Sequence, residues 1–174
     1  MEREIEIKIL EIDQSSVRQR LEEVGAKFSF RHEFWAIFWE DPSEGIVKKG
    51  DLLRLRKEGD ETRITYKRKI SNDGPKVMQE LETVVEDMGA MKDILEALGM
   101  KSYQTTRKYR TQYDLPQGHV VIDEYQDYME KIPPFLEVET KSEEKLYEIV
   151  ALLGFRPEDC KSWNTHDLMK HYGV

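Results

Sequence analysis

Apolar and charged residues take turns along the opening stretch MEREIEIKIL: Ile5, Ile7 and Ile9 alternate with Glu4, Glu6 and Lys8. Period two is the repeat of a strand with one apolar and one charged face. The same alternation, with interruptions, predicts eight strands at roughly 2–10, 28–40, 51–58, 61–70, 77–86, 105–115, 119–126 and 134–141. The polar turns EGDE (58–61), SNDG (71–74) and LPQG (115–118) join several neighbours. Connections this short imply antiparallel hairpins.

Other segments carry apolar residues at helical spacing. One helix follows Asp13 and Ser15, with Val17, Leu21 and Val24 on a face; a second follows Asp87, with Met91, Ile94, Leu95 and Leu98. A third starts at Ser142, with Leu146, Ile149, Val150 and Leu153, and a short last helix covers Asn164–His171. The first three have a capping-type residue before them and a glycine after them, Gly25, Gly99 and Gly154, which is the punctuation a helix needs. A longer repeat is superimposed on this: Glu-x-Glu, helix, Gly-x-base occurs at 4–27, 80–101 and 137–156. It reads either as chance in a Glu-rich chain or as duplication giving a pseudo-symmetric sheet.

The charges are sorted by strand. Acid pairs stand at Glu4/Glu6, Glu80/Glu82 and Glu137/Glu139; base pairs stand at Arg54/Arg56, Lys67/Lys69 and Lys108/Arg110; Asp123 shares a face with Val121 and Tyr125. Like charges two positions apart on a strand sit about 7 Å apart and repel by roughly 2 kcal/mol at an effective dielectric of about 20. An ordinary wet surface intersperses the two signs instead. Paired carboxylates are hard oxygen ligands for Mg²⁺ or Mn²⁺, and paired Arg and Lys neutralise phosphate oxygens. A sheet curled so that both sets face one cavity would hold a metal–polyphosphate complex. Its Ile, Leu, Val and Tyr face would then pack under helices, the reverse of most small soluble barrels.

Composition narrows the picture further. The chain has 174 residues, 39% hydrophobic and 36% charged, which fits one soluble domain over 1–174. A net charge of -8 argues against nucleic-acid binding through bulk electrostatics. No apolar run is long enough to span a bilayer and no secretory leader is visible. The single cysteine, Cys160, fits a reducing cytoplasmic compartment.

The ordered set ExExK, LRLR, a Lys-rich strand, ExE, KxR, an Asp strand and a late ExE resembles the CYTH superfamily, the triphosphate tunnel metalloenzymes, especially its class IV adenylyl cyclase and thiamine triphosphatase-like branch. SWNTHDLM at 162–169 is similar to that family's late Ser-aromatic-x-x-x-Asp-Leu-Leu segment. The resemblance runs from Glu4 to about Met169. It implies an α+β fold: an eight-stranded antiparallel barrel, or tunnel, with a charged interior and helices outside. It also implies a small-molecule triphosphate substrate with Mg²⁺ or Mn²⁺ as cofactor, with no nucleic-acid or membrane partner, in a monomer or homodimer. By motif, Glu4, Glu6 and Lys8 form the catalytic signature strand, and Lys8 activates or orients the nucleophile. Arg54, Arg56, Lys67, Lys108 and Arg110 grip the triphosphate. Glu137 and Glu139 are the main metal ligands, helped by Glu6 and Asp123, while Glu80 and Glu82 face the tunnel and orient the bases. Cyclisation of ATP to cAMP and pyrophosphate leads; hydrolysis of thiamine triphosphate, tripolyphosphate or a nucleotide, and non-catalytic sensing of such ligands, stand beside it, as does a scaffold with an incidental charged cavity.

One departure is AIFW (36–39), where family members often carry Asp-x-Tyr-Phe. The strand FWAIFW reads as core or outer wall rather than a nucleobase platform. His32, His119, His166 and His171 lack zinc-type spacing and read as surface or structural; Met88, Met91 and Met100 read as packing. Cys160 has no partner motif for nucleophilic catalysis, and neither a Walker-type loop nor GxGxxG occurs.

Overall fold

Where the sequence alternates, the chain runs as strand. The computed structural model describes residues 2–43, 45–71 and 74–174. Its long strands are β1 (Glu2–Ile9), β2 (Lys27–Glu40), β3 (Leu52–Glu58), β4 (Glu61–Ser71), β5 (Lys76–Val85), β6 (Lys101–Leu115), β7 (Gly118–Tyr125) and β8 (Phe135–Thr140). The helices are α1 (Gln14–Glu23), α2 (Met88–Ala97), α3 (Glu143–Leu152) and α4 (Thr165–Tyr172). EGDE and LPQG join β3 to β4 and β6 to β7; Asn72 and Asp73 of the expected SNDG turn lie outside the described residues.

Two features escape periodicity. β6 begins at Lys101 rather than near 105, because polar KSYQ pairs with the end of β2 (Trp39 with Ser102, Glu40 with Lys101) and hides no apolar face of its own. A ninth strand, β9 (Cys160–Lys161), adds to β1 through Lys8–Lys161 and Ile9–Cys160, too short to show any period.

The helices begin where side chains can satisfy free N–H groups. Asp13 accepts from Ser16 N at 2.7 Å, Asp87 from Ala90 N at 2.9 Å and Asn164 from Asp167 N at 3.1 Å. Gly25, Gly99 and Gly154 then turn the chain out of α1, α2 and α3 at φ of 75°, 85° and 83°, a left-handed conformation that costs glycine little.

All strand pairings are antiparallel, in the order β5-β4-β3-β2-β6-β7-β8-β1, and β1 pairs again with β5 to close the barrel. Directly paired residues share a face, so the register Glu6–Glu139 and Lys8–Glu137 puts the charges of β1 and β8 on one side. That side is the inside. The isoleucines point out: Ile5, Ile7 and Ile9 join Val120, Ile122, Leu136 and Val138 beneath Val17 and Leu21 of α1 and Leu146, Ile149 and Val150 of α3. A smaller cluster sets Ile37, Trp39, Leu55 and Val85 against Leu95 of α2, with Met88, Met91 and Met100 around it. A third, of Tyr125, Met129, Ile132, Phe135 and Leu168, fixes α4 at one end of the barrel. No described helix is long and apolar enough to cross a membrane.

The β6–β7 turn depends on Gly118, because a Cβ there would run into the Glu139 carbonyl and the Thr140 side chain of β8. Gly118→Ala is expected to lose about 1–3 kcal/mol of stability by overpacking. Leu21→Ala, which empties a fully buried position, is expected to lose about 2–5 kcal/mol. Urea unfolding midpoints check both; an unchanged midpoint for Gly118→Ala would mean that the turn can lift off β8.

Candidate active site

Closure of the barrel sorts the charges around its circumference. The strands bearing Glu-x-Glu, β5, β1 and β8, are consecutive neighbours, and each leads into a helix. Arg54, Arg56 and Lys67 come from β3 and β4, and Lys108 and Arg110 from β6. Lys8, Glu6, Glu137 and Asp123 are only 4%, 7%, 6% and 0% exposed. Charges this deep are tolerable only when paired.

Between β1, β6, β7 and β8 the pairing is complete. Lys8 Nζ stands 2.6 Å from Glu137 Oε1 and 3.5 Å from Glu6 Oε1. Arg110 holds Asp123 with two N–H groups at 2.8 and 2.7 Å, also donates to Glu137, and reaches Glu139 at 3.3 Å. Lys108 donates to Asp123 as well. Burial works against the Lys8 ammonium, but Glu137 and Glu6 outweigh it and hold its pKa above the lysine range. The reciprocal attraction of Lys8 and Arg110 overcomes burial at Glu137 and holds that carboxyl well below its ordinary range. For Lys108, burial and the nearby Arg110 win, and its pKa is lowered.

The acid wall has a different balance. Carboxylate oxygens of Glu4, Glu6 and Glu139 all lie within 4.8 Å of one another. Lys76 Nζ holds Glu6 at 2.7 Å, and Lys67 donates to Glu4 and stands 3.0 Å from Glu80. Glu139 is left the most strained: burial, then Glu4 and Glu137 against the pull of Arg110, push its pKa up to about 7. Three hard oxygen donors repelling one another around one point suit a divalent cation such as Mg²⁺ or Mn²⁺. Of the four ligands expected from sequence, Glu6 and Glu139 fall in this group, together with Glu4. Glu137 and Asp123 are engaged by Lys8, Lys108 and Arg110.

The basic wall is short of acids. Arg56 reaches Glu82 at 3.2 Å and Glu58 at 3.3 Å, yet its Nε is buried without a partner among the described residues. Among the described residues Arg54 Nε is also buried and unpartnered, and Arg54 acts on Glu82 through its charge without hydrogen bonding to it. Burial, followed by repulsion from Arg54, lowers the Arg56 pKa to about 10. Glu82 is held in place by Thr65 Oγ1 at 2.6 Å and Arg63 at 3.0 Å. Phe34 lies under the Arg56 and Arg110 guanidinium groups at 5.0 and 5.7 Å. FWAIFW thus divides: Ile37 and Trp39 belong to the core under α2, while Phe34 faces the tunnel.

Lys76, Arg63 and Phe34 also belong to the site. Lys76 and Arg63 share parity with Glu80 and Lys67 but lie outside the like-charge pairs, so period two is the only signal they give; Phe34 opens the FWAIFW strand read above as core or outer wall. A cavity of about 730 Å³ opens at the β6–β7 turn end, lined by Glu4, Glu80, Glu82, Glu139 and His119.

The chain is similar to known proteins in sequence and in fold. "Putative adenylate cyclase MJ0240" of Methanocaldococcus jannaschii is 29% identical over 136 residues, covering 78% of this chain and 75% of that protein. The PH1012 protein of Pyrococcus horikoshii superimposes with a TM-score of 0.79 at 25% identity, over 95% of this chain and 98% of that one. The PH1819 protein of the same organism gives 0.79 at 22% identity, over 97% and 98%. The CYTH domain family pattern matches residues 2–155, so on sequence, closed barrel and inward-facing charges together this chain belongs to the CYTH domain family.

Proposed function

We propose that the protein is a divalent-metal-dependent enzyme acting on a nucleoside or other organic triphosphate, and that cyclisation of ATP to cAMP and pyrophosphate is its reaction. The observation that carries this reading is the half-buried pair Arg54 and Arg56, whose buried Nε atoms lack a partner among the described residues, in a tunnel that also holds three converging carboxylates. Buried guanidinium N–H groups without acceptors call for the oxygens of an anion, and the crowded acids call for a cation. A metal–triphosphate complex supplies both. The similarity to the relative named "Putative adenylate cyclase MJ0240" favours cyclisation over hydrolysis.

Mg²⁺ or Mn²⁺ held by Glu4, Glu6 and Glu139 would offset phosphate charge during transfer. Arg54, Arg56 and Arg110, with Lys67 and Lys108 alongside, bind and orient the phosphates, and Glu80 and Glu82 fix Lys67 and Arg56 in place. Their contribution is electrostatic stabilisation by groups already in position. Lys8 keeps its proton between Glu137 and Glu6, so it serves as a fixed cation and donor that orients the reacting groups, not as a base. In cyclisation the ribose 3′-oxygen attacks the α-phosphorus and gives up its proton to solvent, and the bond to the bridging oxygen breaks as pyrophosphate leaves.

Incubation of the chain with ATP, thiamine triphosphate or tripolyphosphate and Mg²⁺ or Mn²⁺, with products resolved by chromatography, tests the reading. cAMP with pyrophosphate is the expected result from ATP. Orthophosphate would assign the site to a triphosphatase, and binding without any product would make it a sensor.

Arg54→Ala is expected to lower kcat/KM by about 10–100-fold, the worth of a lost charge-assisted hydrogen bond. It should leave the unfolding temperature of the ligand-free protein nearly unchanged, since its charge only supports Glu82, which Thr65, Arg56 and Arg63 also hold. A large drop in that temperature would show that Arg54 is held for structure.

Glu139 gives a pH dependence. Its folded-state pKa of about 7 lies above the usual 4.5. Between these values the folded chain holds a proton that the unfolded chain lacks, so this group's contribution to stability falls as pH rises across that interval. Glu139→Gln should flatten the fall in unfolding temperature between pH 5 and 8, and saturating Mg²⁺ should offset it in the wild type. Parallel curves for the two proteins would refute the assignment.

A further inference from the structure

Each of the three carboxylates that converge for a divalent cation is held by a cation from another strand. Lys76 Nζ lies 2.7 Å from Glu6 Oε1, and Lys8 Nζ stands 3.5 Å from the same oxygen. Lys67 donates to Glu4, and Arg110 reaches Glu139 at 3.3 Å. Burial works against the Glu6 carboxylate, and Lys76 is the largest of the attractions that keep it ionised. Burial works against the Lys67 ammonium too, and Glu4 and Glu6 come ahead of its cross-strand neighbour Glu80 among the acids that hold it.

The cations differ in freedom. Arg110 is fixed, because its guanidinium grips Asp123 with two N–H groups at 2.8 and 2.7 Å and also donates to Glu137. Lys67 and Lys76 are compact charges on flexible stems, which change partner without giving up a fixed array of hydrogen bonds. Both are half-buried in the tunnel wall. Lys76 stands opposite Glu6 in the β1–β5 register, and Lys67 shares a face with Thr65, whose partner in β3 is Arg54. Lys67 thus lies between the three acids and the guanidinium pair.

A divalent cation and these two ammonium groups compete for the same oxygens. A cation entering alone has to displace Lys76 from Glu6 and Lys67 from Glu4. Two ammonium groups are then left beside it, where an unpaired charge is costly. A triphosphate removes the conflict, because its oxygens accept from the displaced lysines.

We infer that Lys67 and Lys76 exchange partners: without ligand they hold the metal-binding carboxylates, and when a triphosphate binds they pass to its oxygens and free Glu4 and Glu6 for the cation. Cation and triphosphate then bind weakly alone and tightly together, each raising the affinity of the other by the same factor. The exchange brings Lys76 into contact with the substrate, and it rests on the triphosphate reading above.

Each ligand measured by itself tests the exchange. Mn²⁺ binding is read from loss of the free-ion EPR signal with no phosphate present. Binding of methylene-bridged tripolyphosphate, whose P–C bonds resist cleavage, is read by calorimetry with no metal present. Lys76→Met should tighten Mn²⁺ and weaken the analogue, each by roughly tenfold, the size of a typical coupling between sites. Lys67→Met should shift both in the same directions, and decides the matter if Lys76→Met does not fold. Lys108→Met removes one charge from the same tunnel, but from Asp123, and should weaken the analogue while moving Mn²⁺ far less. Weaker or unchanged Mn²⁺ binding in the Lys76 and Lys67 variants, or an analogue bound as tightly as before, overturns the exchange. Equal tightening of Mn²⁺ in all three variants overturns it too, as a general effect of charge. Failure of the wild type to bind the analogue even with Mn²⁺ overturns the triphosphate reading itself.

Discussion

A charge buried inside a barrel has to meet a counter-charge there, and that constraint organises the rest of this molecule. Water is not available to solvate Lys8, Glu137, Asp123 and Arg110 at their depth, so their energies are acceptable only as a hydrogen-bonded network. The network spans β1, β6, β7 and β8. Strand register is thereby pinned twice, by apolar packing outside and by ion pairing within. A one-residue slip would bury isoleucines among carboxylates and expose the charges to the helices.

Against that satisfied background, the unsatisfied groups become informative. Arg54 and Arg56 retain buried Nε atoms with no partner among the described residues, and Glu139 is pushed to a pKa of about 7 beside Glu4 and Glu137. The site holds unresolved charge of both signs on separate walls. Preorganised charge of this kind stabilises a bound or reacting ligand without rearranging at the moment of reaction. Stability is supplied elsewhere: helices α1 and α3 cover the acid strands and α2 covers the β2–β3–β5 face. The inside is left free to be electrostatically unfavourable until occupied.

Much of this was legible in the chain. Each of the eight long strands, the four helices and their caps follow from local periodicity and from residues such as Asp13, Asp87 and Ser142, because both are properties of neighbours in sequence. The pairs at Glu4/Glu6, Arg54/Arg56 and Glu137/Glu139 were visible because like charges two apart are unfavourable on an ordinary surface. β9 and the start of β6 were not, since pairing alone forms them. Lys76 and Arg63 were also hidden, and Phe34 was visible in FWAIFW without its place in the tunnel, because each gains its role from a partner on another strand.

The division of labour is sharpest in the acid motifs. Sequence alone determined that Glu4, Glu6, Glu80, Glu82, Glu137 and Glu139 would share faces in pairs, because side chains alternate along a strand. Only closure of the sheet decided that β5, β1 and β8 would be neighbours. Closure also gave Glu137 to Lys8 and Arg110 while bringing Glu4, Glu6 and Glu139 to one point. Those choices depend on register and curvature across residues far apart in the chain. No local pattern encodes a distance that exists only once the barrel has shut.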